Sequence, residues 1–178
     1  MIYLESIFIL FIIGAIFGWI LELFYRRFIT MKKWINPGFL KGPYLPIYGI
    51  GMIVAFYICE LQYAKNYYLD VFIKLMVFLI LSTFLELIAG LILSKVFHIK
   101  LWDYQNKKGN INGFICITYS LLWAFMGLIY YLFFHQMIVG LLILIYRFKL
   151  LFFLVGVICG IILIDLKSKC FKNQKNNH

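Results

Sequence analysis

Glu86 is the residue of this chain that most needs a chemical explanation. It sits in FLILSTFLELIAGLIL, with eleven uncharged residues before it and eight after. An acid inside an apolar helix costs about 2.5–3.5 kcal/mol on insertion scales and is usually paired or functional. Glu86 is too deep to snorkel and has no cation within one helical turn. It must therefore pair with another segment, bind a cation or proton, or stay protonated, since desolvation favours the neutral form. Ser82, Glu86 and Gly90 recur at i, i+4 and i+8, so one small, polar helix face should point into a bundle. The plainer reading is a structural hydrogen bond to a neighbouring helix.

Two further acids lie near span ends. Glu22 precedes Arg26 at i+4, the favourable acid-first order, and the pair could simply snorkel at the surface. Asp165 closes the last apolar run with Lys169 at i+4; a helix C-terminus disfavours an acid, and a surface pair would explain it. The stretch NPGFLKGPYLPIYGIG, residues 36–51, holds all three prolines, Pro37, Pro43 and Pro46, with Gly38, Gly42, Gly49 and Gly51. Proline removes a backbone donor and glycine admits conformations that other residues avoid. An apolar segment that cannot be a regular helix needs its backbone satisfied by protein or a wet cavity, as in the broken helices of transporters. A stiff interfacial turn, with Tyr44 and Tyr48 as belt aromatics, is the simpler alternative. The loop LWDYQNKKGNING, residues 101–113, groups Trp102, Asp103 and Tyr104. Asn112 can then cap the helix that carries Cys116. A surface-anchoring loop would look similar.

Other chemistries leave no trace. Cys59, Cys116, Cys159 and Cys170 form no CxxC and read as free thiols, and His98, His135 and His178 are scattered. No metal-ligand spacing, catalytic set or cofactor motif stands out. The absence of G-x-x-x-x-G-K-[ST] means that any ATP hydrolysis must come from another chain. With no nucleic-acid-binding motif, the net charge of +10 reports topology and anionic lipid headgroups instead of nucleic acid.

The elements that must position these groups follow from composition. The 178 residues are 65% hydrophobic and 13% charged, against about 25% charged in soluble domains. That excludes a soluble enzyme and a disulfide scaffold, and leaves an all-α, polytopic transmembrane helical bundle. Apolar runs at 4–25, 45–61, 71–97, 114–134 and 150–166 predict about five spans, with the proline-glycine segment as a non-helical entry to the second. The run at 4–25 is too long for a signal peptide and should remain as the first span. Residues 136–146 either lie in the interface or extend a neighbouring span. Residues 1–166 read as one transmembrane domain, and 167–178 as a basic, disordered cytoplasmic tail. Gly14-x-x-x-Gly18 and Gly156-x-x-x-Gly160 allow close helix packing, within the bundle or between copies.

Five spans place 13 basic residues on one side and 4 on the other. Six spans would give 11 against 6. The better fit to the positive-inside bias has the N-terminus outside and the C-terminus cytoplasmic in a cell membrane. Glu22, the proline-glycine segment, Glu86, Trp102–Tyr104, Asn112–Cys116 and Asp165 then converge on the cytoplasmic side.

These same residues carry a family resemblance. W-x-x-E (Trp19, Glu22), N-P-G-F-L-x-G-P-Y-x-P-I-Y-G (36–49), a mid-span Glu86, L-W-D-Y (101–104), N-x-N-G-x-I-C (110–116) and a late Asp165 resemble the small bacterial membrane proteins named type IV, CmpB-like ABC-transporter permeases. The likeness covers almost the whole chain. One departure is Ala124 after Trp123, where the family pattern has glycine. The resemblance implies a permease subunit whose cytoplasm-facing cavity is lined by Glu22, Glu86 and Gly42, Pro43, Tyr44, Pro46, Tyr48 and Gly49. A separate ATP-hydrolysing subunit would dock on loops 31–41 and 99–109, and five spans per copy suggest a homo-oligomer. A membrane enzyme acting on lipid headgroups, using Asp103, Glu22 and Glu86 as acid, base or metal ligands, and a small membrane scaffold or regulator are the alternatives.

Overall fold

A computed structural model describes residues 4–30, 32, 34–147 and 149–176, and its regular elements are helical. Helix α1 is Leu4–Tyr25, matching the first expected span, and runs into a π-helical turn at Arg26–Thr30. Helix α2 is Pro46–Glu60, α3 is Tyr67–Lys95 and α4 is Ile117–Ile129. A second π-helical turn, Tyr130–Phe134, leads into α5, His135–Arg147, and α6 is Lys149–Asn176. Among the described residues three stretches are long and apolar enough to cross a membrane: Ser6–Ile29, Tyr67–Lys95 and Ile117–Arg147.

Several sequence expectations shift here. The second span is a helix of only 15 residues, about 22 Å against a hydrocarbon core of about 30 Å. Its start is fixed by Pro46, whose missing N–H is harmless only in the first helical turn. Residues 136–146 extend the fourth span without a break. The backbone stays helical through Asn176, where disorder was expected from residue 167.

The chain divides into two compact units: residues up to Ile53 with those from Leu141 onward, and Val54–Gly140. In the first unit α1 packs against α6. Ala15, Leu40, Tyr44 and Ile162 form its core, flanked by Phe11, Phe39, Ile158 and Leu166. The proline-glycine segment is thus folded into the protein interior, with Pro37 and Leu40 fully buried. Its backbone is satisfied in part by α1, since Leu45 N–H donates to Ala15 O at 2.9 Å. Gly14 and Gly18 admit this approach. A Cβ on Gly14 would lie 2.4 Å from Met52 Cβ, and one on Gly18 2.1 Å from the Tyr48 ring. A Cβ on Gly156 or Gly160 would meet nothing within 4 Å among the described residues, in contrast to the first small-residue pair.

In the second unit α3 packs along α4. Asn66 caps α3 by accepting from Leu69 N–H at 3.1 Å. The buried face of α3 repeats every four residues, Asp70, Lys74, Phe78, Ser82, Glu86 and Gly90, and so continues toward the N-terminus the stripe of Ser82, Glu86 and Gly90 expected from the sequence. The opposite face exposes Phe72, Ile80 and Phe84. A helix that is polar inside and apolar outside is arranged for a lipid surround. Two glycines set the spacing: a Cβ on Gly90 would meet Phe114, and one on Gly127 would meet Phe78.

Candidate functional site

In the second unit the site is built around Glu86, which is 3% exposed. The Tyr104 hydroxyl donates to Glu86 Oε1 at 3.0 Å. Glu86 Oε2 is buried without a hydrogen bond of acceptable geometry, and Trp123 is the other side chain facing the carboxyl. Tyr104 is itself held from two sides. Its ring stacks on Tyr119 with centroids 4.4 Å apart, and its N–H donates to Gly113 O at 2.9 Å. Trp102 Nε1 donates to Phe114 O at 2.8 Å, so the loop is pinned to the entry of α4 as well as to α3. Asp103 stays outside this cluster. It pairs with Lys100 at 2.7 Å and accepts from Gln105 N–H. The Lys100 ammonium, then that amide, hold its carboxyl below the usual range.

Asn112 does not cap α4. The N-cap is Cys116, 1% exposed and making no side-chain capping bond. Asn112 and Gly113 instead have φ of 52° and 72°, and Phe114 N–H donates to Ile111 O at 3.0 Å. This is the Asn-Gly type I′ turn, which needs positive φ at both central positions. It turns the chain back on itself, with Ile111 bridging Ile115, and so brings Gly113 O to Tyr104.

The first unit holds two more of the expected acids. Glu22 accepts from Arg26 Nε at 3.0 Å, as the i+4 spacing predicted, and from the Tyr48 hydroxyl at 3.1 Å. Nearby, Trp19 Nε1 donates to Asn36 Oδ1 at 2.9 Å, tying the start of the proline-glycine segment to α1. Asp165 is not the surface partner of Lys169. Its Oδ2 accepts from Lys41 N–H at 2.8 Å, Gly42 N–H at 3.3 Å and the Tyr44 hydroxyl at 2.8 Å. Oδ1 is buried without a partner. Burial, then the bond to Asp165, push the Tyr44 hydroxyl up to about 12. Gly42 leaves room for that ring, since a Cβ there would lie 2.1 Å from it. Pro43 and Pro46 carry no side-chain polar group and act by shaping the backbone between Gly42 and α2. Gly49 seats α2 against Phe11 of α1, 2.7 Å from a hypothetical Cβ. Glu22 and Asp165 thus belong to one unit and Glu86 to the other.

Two polar groups of the second unit were not anticipated. Lys74 and Asp70 form a buried ion pair, and Asp70 also accepts from Tyr63 N–H and Ala64 N–H. The signal was available in their acid-first i+4 spacing. His135, 4% exposed, lies 3.2 Å from Glu60 Oε1 through Nε2 and 3.3 Å from the Tyr130 hydroxyl through Nδ1. A small cavity bordered by Cys59, Lys74, Phe78, Gly127 and Tyr131 measures about 10 Å³, room for one water and no solute. None of the residues expected to line a solute cavity borders it.

The arrangement around Glu86 and the proline-glycine segment uses the same residues that a family model matches over 9–169, under the description "Putative ABC-transporter type IV". The chain belongs to this family. The match runs from within α1 to within α6 and includes Glu22, Glu86, Tyr104 and Asp165. No curated protein and no solved structure matches the chain. Family membership and apolar helices of crossing length together make it an ABC-transporter-type membrane protein.

Proposed function

We propose that the chain is a permease-like subunit that works with a separate ATP-hydrolysing subunit, and that Glu86 is the acid at the centre of its solute path. The observation that supports this most is the half-satisfied carboxyl of Glu86. One oxygen is held by Tyr104, while the other is buried facing Trp123 without a hydrogen bond of acceptable geometry. An unsatisfied buried acceptor costs about 1–3 kcal/mol, more when charged. A group kept at such a cost retains the capacity to bind a proton or a cationic part of a solute.

In this reading the N-terminus is outside and the C-terminus cytoplasmic, with α2 crossing as a short helix entered through the proline-glycine segment. The bilayer can thin locally around a short span at modest cost. Loop 101–113, which holds Glu86 through Tyr104, is then on the cytoplasmic side, the side on which an ATPase would dock. Anionic headgroups meet the basic loops of that side. The open face at Gly156 and Gly160 accepts a second copy.

The test is affinity purification of the full chain from native membranes, followed by ATPase assay in proteoliposomes. An ATP-hydrolysing polypeptide should co-purify. Glu86→Gln should retain that partner and lose solute-stimulated hydrolysis. Recovery of the chain without any nucleotide-hydrolysing partner sinks the reading. Orientation is read from Gln105→Cys in a background lacking native cysteine, which should react with impermeant reagents only from the cytoplasmic side.

A further inference from the structure

The second unit contains a polar chain that the Glu86 reading does not use. His135 is 4% exposed and is gripped at both ring nitrogens, by Glu60 Oε1 at 3.2 Å and the Tyr130 hydroxyl at 3.3 Å. The grip depends on an irregularity of the helix. Residues five apart on a regular α-helix point about 140° away from each other. Tyr130 and His135 are five apart, yet they meet, because Tyr130–Phe134 is a π-helical turn in which His135 N–H bonds back to Tyr130 O. Single π-helical turns inside α-helices cluster at functional sites. The ring of Phe56 packs on the imidazole with centroids 5.3 Å apart and closes its apolar side.

We propose that Glu60, His135 and Tyr130 form a proton-binding site built by this turn. The partners suit both states of the imidazole. In the neutral ring Nε2–H donates to the Glu60 carboxylate, and Nδ1 accepts from the Tyr130 hydroxyl. When one proton is taken from water onto Nδ1, the Tyr130 hydroxyl rotates from donor to acceptor, which a hydroxyl can do without moving its oxygen. Glu60 continues to accept from Nε2–H and now balances a full positive charge. No hydrogen bond is lost in either direction. A buried histidine that served only packing would need one fixed tautomer, and a single fixed partner would be enough.

The surrounding charges are compatible with uptake. Glu60 and Cys59 come from α2, Asp70 and Lys74 from α3, and Tyr130 and Tyr131 from the turn. Lys74 is the one cation facing the site among the described residues. Its ammonium is already held by Asp70 and lies 4.8 Å over the Tyr131 ring. Glu60 keeps a side chain 42% exposed, so its carboxyl stays in reach of water while its Oε1 faces the buried imidazole. The site is separate from Glu86, and it does not rest on the permease reading.

The experiment is nitrogen-15 NMR of histidine-labelled full-length protein in lipid nanodiscs, with His135 assigned through His135→Asn. Between about pH 5 and 8 the His135 signals should move to the two-proton form. Glu60→Gln should lower the midpoint by about one pH unit. Tyr130→Phe should shift the neutral-form tautomer balance while the protein keeps its unfolding midpoint within a few degrees. Glu86→Gln should leave the titration unchanged, so failure of the Glu86 reading is distinguishable. A His135 ring that stays neutral throughout this range, or a titration identical in wild type and Glu60→Gln, overturns the proposal. If His135→Asn does not fold, difference spectra of Tyr130→Phe against wild type supply the assignment.

Discussion

Tyr104 and Glu86 lie 18 residues apart in sequence, and the hydroxyl of the first donates to Oε1 of the second at 3.0 Å. The bond fastens a polar loop to the middle of an apolar helix, at a carboxyl that also faces Trp123. Tyr104→Phe keeps the stack on Tyr119 and removes only the donor. It should cost about 1–3 kcal/mol, the usual penalty for orphaning a buried acceptor. Thermal unfolding in detergent measures it, and Asp103→Asn, on the exposed side of the same loop, should leave the midpoint in place.

The buried pair of Lys74 and Asp70 should show the asymmetry of interior ion pairs. Removing one partner strands the other charge, whereas replacing both with apolar residues of similar volume is often neutral. Lys74→Met should lower the thermal midpoint by several degrees, and the double variant Asp70→Asn, Lys74→Met, which keeps an acceptor for the Tyr63 and Ala64 amides, should recover most of that loss.

Two glycine pairs with the same spacing should behave oppositely. Gly14→Ala drives a Cβ into Met52 and the Tyr48 backbone oxygen and should destabilise by about 1–3 kcal/mol. Gly156→Ala meets open space and should leave the midpoint unchanged or raise it. If Gly156→Ala also removes a larger species on size exclusion, that face is a contact between copies.

The Tyr44–Asp165 bond predicts a response to alkali. Tyr44 has its hydroxyl pushed up from 10.0 to about 12, by burial first and by Asp165 second. The unfolded chain therefore gives up this proton before the folded one does. The stability Tyr44 contributes is complete below pH 10 and is lost as pH rises through about 12. Unfolding midpoints measured across this interval should fall more steeply for wild type than for Tyr44→Phe. Equal slopes would refute the assignment.

Much of this architecture was legible because apolar runs and an i+4 stripe are written along one segment. The ends of α1 and the inward face of Ser82, Glu86 and Gly90 needed no partner to be read. Glu22 and Arg26 were legible for the same reason. What escaped the sequence depends on distant chain. Asp165 is held by the amides of Lys41 and Gly42, and an amide has no side-chain signature. Asn112 offers the chemistry of a cap, but the Gly that follows favours a turn with positive φ at both positions, and that geometry won. His135 looked solitary because its partner Tyr130 is on the wrong face of an ideal helix.

That last point has a genetic side. A π-helical turn is equivalent to an α-helix that has accepted one additional residue. Deleting a single codon within Tyr130–Phe134 would restore a regular helix and rotate everything after it by about 100°. Family members that lack this residue would therefore keep the helix and lose the meeting of tyrosine and histidine. A one-residue gap at this place in an alignment would separate the chains that can carry this imidazole grip from those that cannot.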